Sequence, residues 1–265
     1  MTSLAEIELT RARWRRRIDG LALDTINRPD FGVAELAARL ATPSVQFALL
    51  PADPEATDRV VFDDAFWAWF KAYQTVAVED HSLLFGYQQH VTAHAAAWVE
   101  DSGRGQPWHR FISVDRAGAV VLGLGSYGAR EVHTNSDQSF RVFALVSIVA
   151  YAQGMLAFCA AVQSRLSLAG PCLLAIGAVS TRDALLGNLA EGWAEPFSIS
   201  NSVGGCIDEH LLWHIELDEI DEESTRDLAF LIGDRFEDAW GVTQRRYRAR
   251  VGESINELDY GRVLR

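Results

Sequence analysis

The chain has 265 residues, 49% of them hydrophobic and 23% charged, a globular composition that excludes global disorder and can bury a core without disulfides or metal. Its formal charge of −12 opposes general affinity for nucleic acid or anionic membrane, because the field of the whole molecule repels phosphates. Cys159, Cys172 and Cys206 lack C-x-x-C spacing and lie in apolar or glycine-rich stretches, so neither a cysteine zinc site nor a disulfide framework is indicated and they read as buried thiols of a reducing compartment.

Leu4, Ile7, Trp14, Ile18 and Leu21 recur at three- and four-residue spacing, so 4–23 is predicted as a helix, ended by Asn27 and Pro29. The N-terminus carries no apolar stretch with a small-residue cleavage site, so a cytoplasmic protein is expected. Asp30 caps a short helix over 33–40, and 45–50, bounded by Pro43 and Pro51, has the length of an edge strand. Phe62, Phe66, Trp69, Phe70 and Tyr73 predict an aromatic helix over 58–78, and 82–99 reads as a further helix.

A glycine-rich loop at 101–107 leads to a hairpin of 111–114 and 119–124 around Asp115-Arg116-Ala117-Gly118. The polar, aperiodic stretch 126–139 is the expected functional loop. A central helix covers 140–166 and stops at Gly170-Pro171, followed by a buried strand over 172–179. Within the helix, 142–162 has the length of a membrane span between Arg141 and Arg165; Ser147, Gln153 and Gly154 interrupt it, and a buried core helix with no membrane partner is the reading adopted. Ser180-Thr181-Arg182-Asp183 matches a capping box opening a short helix through 189. In 211–217, Leu211, Trp213, Ile215 and Leu217 alternate with Leu212, His214 and Glu216, the pattern of a half-buried strand. After the acidic loop 216–223, Ser224 caps a last long helix with Leu228, Leu231, Ile232, Phe236 and Trp240 on one stripe before Gly241.

These elements predict an α+β fold: a small mixed sheet packed by the central buried helix and the long C-terminal helix, with a helical N-terminal portion over 1–100 and the α+β domain over 107–265.

Motifs with chemistry are sparse. Gly123, Gly125 and Gly128 spell G-x-G-x-x-G after a strand, but no helix is predicted behind them and no acid stands about twenty positions on, so no dinucleotide site is expected. Gly125-Ser126-Tyr127-Gly128 is one residue short of a nucleophile elbow, and the single lysine, Lys71, lies far from any glycine loop, which sets aside a phosphate-loop ATPase. His90 and His94 share a face if 82–99 is helical, a spacing that chelates zinc or iron, and His210 and His214 share a strand face beside Glu216. The four histidines are the candidate ligands of a metal-dependent enzyme, although HVTAH lacks the glutamate of a metalloprotease motif. Surface or core histidines are the favoured reading, and no cofactor is assigned.

Arg11, Arg13, Arg15, Arg16 and Arg17 gather positive charge on the first helix, which suits phosphate, nucleic acid or an acidic partner. The alternative is a solvated face paired with Glu216, Asp218, Glu219, Asp221, Glu222 and Glu223, of this chain or a second copy. Leu4, Arg11 and Ile18, with Ile7, Trp14 and Leu21, repeat every seven residues, a narrow seam for self-association or for packing on the helix over 58–78.

The segments FALVSIVAYAQGMLAFCAAV, PCLLAIGAV and RDLAFLIGDRFEDAWGV, in that order within 140–253, resemble the region that follows the AlbA-like domain in Schlafen-type putative DNA-binding proteins of bacteria. The resemblance implies an accessory or regulatory module. Residues 1–139 have no counterpart of that family's AlbA-like domain, so no functional residue is carried over. The function expected is a non-catalytic interaction or assembly module of an intracellular, regulatory or defence-related complex, acting through a protein partner or self-association.

Overall fold

The runs of β-branched and aliphatic residues in the middle of the chain pair into one antiparallel sheet. In the computed structural model, the described residues are 3–20, 39–56, 58–78, 81–101, 103, 106–133, 139–168, 170–187, 203–221, 224–242, 248–251 and 254–258. The chain runs α1 (Leu4–Gly20), β1 (Ser44–Pro51), α2 (Asp64–Ala72), β2 (Thr75–Val78), β3 (His81–Leu84), β4 (Gln88–Val91), β5 (Ala95–Asp101), β6 (Trp108–Asp115), β7 (Val120–Leu124), β8 (Ala129–His133) and β9 (Ser139–Ala144). It continues through α3 (Leu145–Leu166), β10 (Cys172–Val179), β11 (Leu185–Gly187), β12 (Val203–Gly204), β13 (His210–Leu217), α4 (Ser224–Ala239), β14 (Arg248–Val251) and β15 (Ser254–Leu258). The fold is α+β. Its seven-stranded sheet has the order β13-β10-β1-β7-β6-β5-β4, every neighbouring pair antiparallel; a second sheet, β12-β11-β9-β8, contains the parallel pair β11–β9.

Register assigns the two faces. Val45, Phe47 and Leu49 of β1 align with Leu124, Leu122 and Val120 of β7 and with Ala178, Ile176 and Leu174 of β10. These side chains form one cluster with Phe66 and Phe70 of α2, with Ile148, Val149, Met155 and Phe158 of α3, and with Ile232 and Phe236 of α4. On the other face, Ala48, Leu50, Ala95, Ala97, Val121, Leu173 and Ala175 pack with Trp14 of α1. Small side chains there let the helix lie close to the sheet. Three indoles fasten elements together by donating to main-chain carbonyls: Trp14 to Pro51 at 2.8 Å, Trp98 to Phe70 at 3.0 Å and Trp240 to Ala184 at 2.8 Å.

By length and composition α3 could cross a membrane, with a mean hydropathy of 1.9 over 18 residues, but 78% of that window is buried inside the fold. It is the core helix. Cys159, Cys172 and Cys206 are free and buried. Burial pushes the Cys172 thiol up to about 11 and that of Cys159 well above its ordinary value, so neither is a thiolate near neutrality.

Several expectations are corrected. Residues 1–100 are no separate helical portion, because β1, β4 and β5 belong to the same sheet as β6, β7, β10 and β13. The strand at 45–50 is central, flanked by β10 and β7, not an edge. The predicted helix over 82–99 is the end of β3 followed by β4 and β5. A Cβ on Gly86 would lie 2.5 Å from the Val99 backbone, and Thr92 Oγ1 accepts from the His94 and Ala95 N–H groups, so the segment doubles back where a helix would run on.

The aromatic helix is shorter than 58–78: Asp63 caps it by accepting from the Phe66 N–H at 2.8 Å, and Thr75–Val78 leaves it to pair with β3. Residues 126–139 contribute β8 and the start of β9, and 140–144 is strand, so α3 begins at Leu145. The capping-box helix does not form. Ser180 (φ 63°) and Asp183 (φ 57°) are left-handed, and the Thr181 hydroxyl donates to the Asp208 carbonyl, which directs the chain into β11. The helix expected over 33–40 lies outside the described residues except at 39–40.

The glycines of G-x-G-x-x-G follow from packing. A Cβ on Gly123 would meet the Phe111 ring at 2.3 Å, one on Gly125 the Trp108 carbonyl at 2.9 Å, and one on Gly128 the Leu124 Cβ at 2.8 Å. Phe111 is fully buried and has nowhere to go. Gly123→Ala is therefore expected to lower stability by about 1–3 kcal/mol, read as a lower denaturant midpoint at unchanged slope.

Candidate functional site

The arginines of α1 are engaged by carboxylates of the same chain. Arg11 donates from Nε and Nη2 to Glu216 of β13 at 2.9–3.1 Å, Arg16 Nε reaches Glu55 at 2.9 Å, and Arg13 lies 3.8 Å from Asp53. Arg15 is exposed. These surface pairs hold orientation more than they stabilise. The Arg17–Asp115 pair differs: its partners are 2.5 Å apart with side chains 7% exposed. Asp115 closes the β6–β7 turn, accepting from the Ala117 and Ala119 N–H groups at 2.9 Å each. Burial pushes its carboxyl above the ordinary range, while Arg17 and the turn N–H groups oppose that shift.

The four candidate histidines do not converge. His90 lies on β4, its ring 5.3 Å from Trp108, and His94 is exposed beyond the end of that strand, so they share no helix face. His210 and His214 lie on β13, at the opposite edge of the sheet. Six strand spacings of about 4.8 Å put roughly 29 Å between the two pairs. Among the described residues, no group of three or more His, Cys, Asp or Glu is placed to hold a metal ion.

A polar constellation gathers instead at the start of β6. Asp101 pairs with Trp108 and Glu100 with Arg110, so His109 is the extra residue of a bulge, a device that re-aims side chains. His109 Nδ1 lies 2.5 Å from the Ser126 hydroxyl in the turn after β7. Beside it, Arg110 is ion-paired with Glu100 and stacks over the Tyr127 ring, 3.8 Å from its centroid, with the Tyr151 ring at 5.3 Å. Tyr127 donates its hydroxyl to Glu100 at 2.7 Å. Burial and the bond to Glu100 push the Tyr127 phenol well up against the pull of Arg110, so it stays protonated and serves as a fixed donor.

Chemically, Glu100, Arg110 and Tyr127 engage one another, while the buried Nε of Arg110 has no hydrogen-bond partner among the described residues. Ser126 and His109 are half-buried and reach solvent, and an imidazole in contact with a hydroxyl can take its proton. Ser126 opens the stretch 126–139 expected as a functional loop, although G-S-Y-G is one residue short of a nucleophile elbow. Nothing in the spacing pointed to His109, because the bulge that aims it is a property of strand pairing.

The sheet edges are the other exposed feature. Among the described residues, β4 and β13 are each hydrogen-bonded on one side only. Gln88, Gln89 and Val91 are exposed on or beside one edge, with Tyr87 adjoining at 66%; Leu212 is 51% exposed on the other. Leu4, Ile7 and Leu9 of α1 are exposed as well, while Trp14, the centre of the predicted seven-residue seam, is buried on the sheet and not on α2. An open pocket of about 400 Å³ beside the end of α3 includes Arg59, which faces Asp53 at 3.8 Å.

Compared with protein-family models, curated proteins and solved structures, the chain matches none.

Removing one partner of the buried pair tests the α1 anchor. Arg17→Met leaves Asp115 as an uncompensated carboxyl and is expected to cost about 3–5 kcal/mol near neutral pH. Its folded-state pKa then lies further above the unfolded value, so the folded state holds its proton more tightly. The deficit relative to the parent grows as pH rises from about 4 towards 7, which unfolding curves at several pH values check.

Proposed function

We propose that the chain is a non-catalytic interaction module that engages a protein partner by strand addition at an edge of its seven-stranded sheet. The observation that carries this reading is the chemistry of the two edges. Natural sheets blunt exposed edges with very short strands, charge, especially lysine, or proline. β13, eight residues long, has neither lysine nor proline and carries one charge, Glu216, which is held by Arg11; the four-residue Gln88-Gln89-His90-Val91 is short but likewise has no lysine, acid or proline. Extended backbone offered in this way supplies main-chain hydrogen bonds for affinity, and alternate side chains supply specificity.

The resemblance of 140–253 to the region after the AlbA-like domain of Schlafen-type proteins supports an accessory or regulatory role, in a cytoplasmic regulatory or defence-related complex. Nucleic-acid binding through Arg11, Arg13, Arg15, Arg16 and Arg17 has less support, since four of the five already face carboxylates of the chain.

Photo-crosslinking inside cells tests the reading. A photoreactive residue at Gln89 or Leu212 is expected to give a discrete adduct that disappears when Pro replaces His90 or His214 in the same strand. Adducts at exposed Arg235 of α4 but at neither edge would overturn it.

The 2.5 Å contact of Ser126 and His109 favours a second reading, an acyl-transfer or hydrolytic enzyme with Ser126 as nucleophile and His109 as base. A fluorophosphonate probe separates the two: labelling abolished by Ser126→Ala supports the enzyme, and an unlabelled protein removes it.

A further inference from the structure

The geometry points to a second copy of this chain as the occupant of the β13 edge, paired antiparallel about a two-fold axis normal to the sheet; this rests on the edge-addition reading above. Such an axis keeps each face on its own side, so only residues of like parity can stand opposite one another. A pairing centred on Trp213 sets Leu211 against Ile215, Leu212 against His214, and His210 against Glu216 of the second copy. Leu211 meets Ile215, Leu212 stands beside an imidazole, and Glu216, which Arg11 of its own chain also holds, meets the imidazole of His210. Centring on His214 instead opposes that imidazole to itself and puts Leu212 against Glu216. The first register is the complementary one.

Helix α1 supplies the second half of the interface. Its anchors are Arg17 on Asp115 at the β6–β7 turn, Trp14 on Pro51 at the end of β1, and Arg11 on Glu216 of β13. The helix therefore runs across the strand ends towards the β13 edge: Leu4 lies ten residues, about 15 Å, from Trp14 on β1, against about 10 Å from β1 to β13, so it reaches past the edge by about 5 Å, roughly one strand spacing. There Leu4 is 81% exposed. In the pair it lies over β13 of the second copy, where Leu212 is exposed on the same face. The two helices do not collide: Glu216 of one copy stands opposite His210 of the other, which separates them by about 20 Å along the strands against a helix width of about 10 Å.

Light scattering and crosslinking of the purified full chain test this. The parent is expected to be a dimer, and Leu212→Lys, which opposes a cation to His214 of the second copy, to weaken association at least tenfold with an unchanged unfolding midpoint, since Leu212 is exposed in the single chain. Trp213→Cys is expected to oxidise to a dimer, because opposed Cα atoms about 4.5–5.5 Å apart fit a disulfide. Trp213 also packs on Phe236, at 5.1 Å between ring centroids, so Leu212→Cys with a bis-maleimide of about 8 Å, the span of a diagonal pair, gives the same readout on an exposed site. A monomer at every concentration overturns the second copy and leaves edge recognition of another protein standing. A dimer trapped through Gln89→Cys and not Leu212→Cys also overturns it while keeping the edge reading. A dimer trapped at neither edge also overturns the second copy at β13 and leaves edge recognition of another protein standing.

Discussion

Because β1, β7 and β10 are buried on both faces, the seven-stranded sheet needs a cover on each side, and the chain supplies two unequal ones. On one side α2, α3 and α4 bring aromatic and aliphatic bulk, including Phe66, Phe70, Phe158 and Phe236. On the other side a single helix, α1, meets a floor rich in alanine with one large contact, Trp14. A cover with so little apolar area needs polar fasteners, and these are the ion pairs of Arg11, Arg13, Arg16 and Arg17. The cluster that stands out in the sequence as a binding surface is in this way accounted for largely by the need to hold one helix.

That assignment shows where sequence reading ends. Elements whose pattern is set locally were legible: the hairpin around Asp115–Gly118, the buried strand Cys172–Val179, the alternation of His210–Leu217 and the helix opening at Ser224. The segment 82–99 was not, because its helical spacing of apolar residues is accidental and the deciding fact is the close approach of Gly86 to Val99, a contact made only once β5 exists. Residues 140–144 were absorbed into α3 for a related reason. Val142, Phe143 and Ala144 are as apolar as the helix that follows, and only their pairing with β8 and β11 makes them strand.

The polar sites divide in the same manner. Ser126 was visible as part of a glycine-flanked turn, whereas His109, Glu100 and Tyr151 join it from three other places in the chain. The histidine pairs were visible as pairs, and topology then set them at opposite ends of the sheet. A linear sequence records that two residues are four apart; it does not record that five strands stand between one pair and the next.

The bond from Arg11 to Glu216 joins residues 205 positions apart. Helix α1 precedes β13 in the chain, so the anchor of Arg11 is incomplete until β13 has been made. Trp14 waits for Leu173 and Ala175 of β10 to complete the surface it covers, while β1, β6 and β7 can already associate. Long-range closure of this kind slows folding and leaves apolar groups open to capture in the interval. The same late docking means that α1 can be the first element to detach when the sheet's outer strand frays.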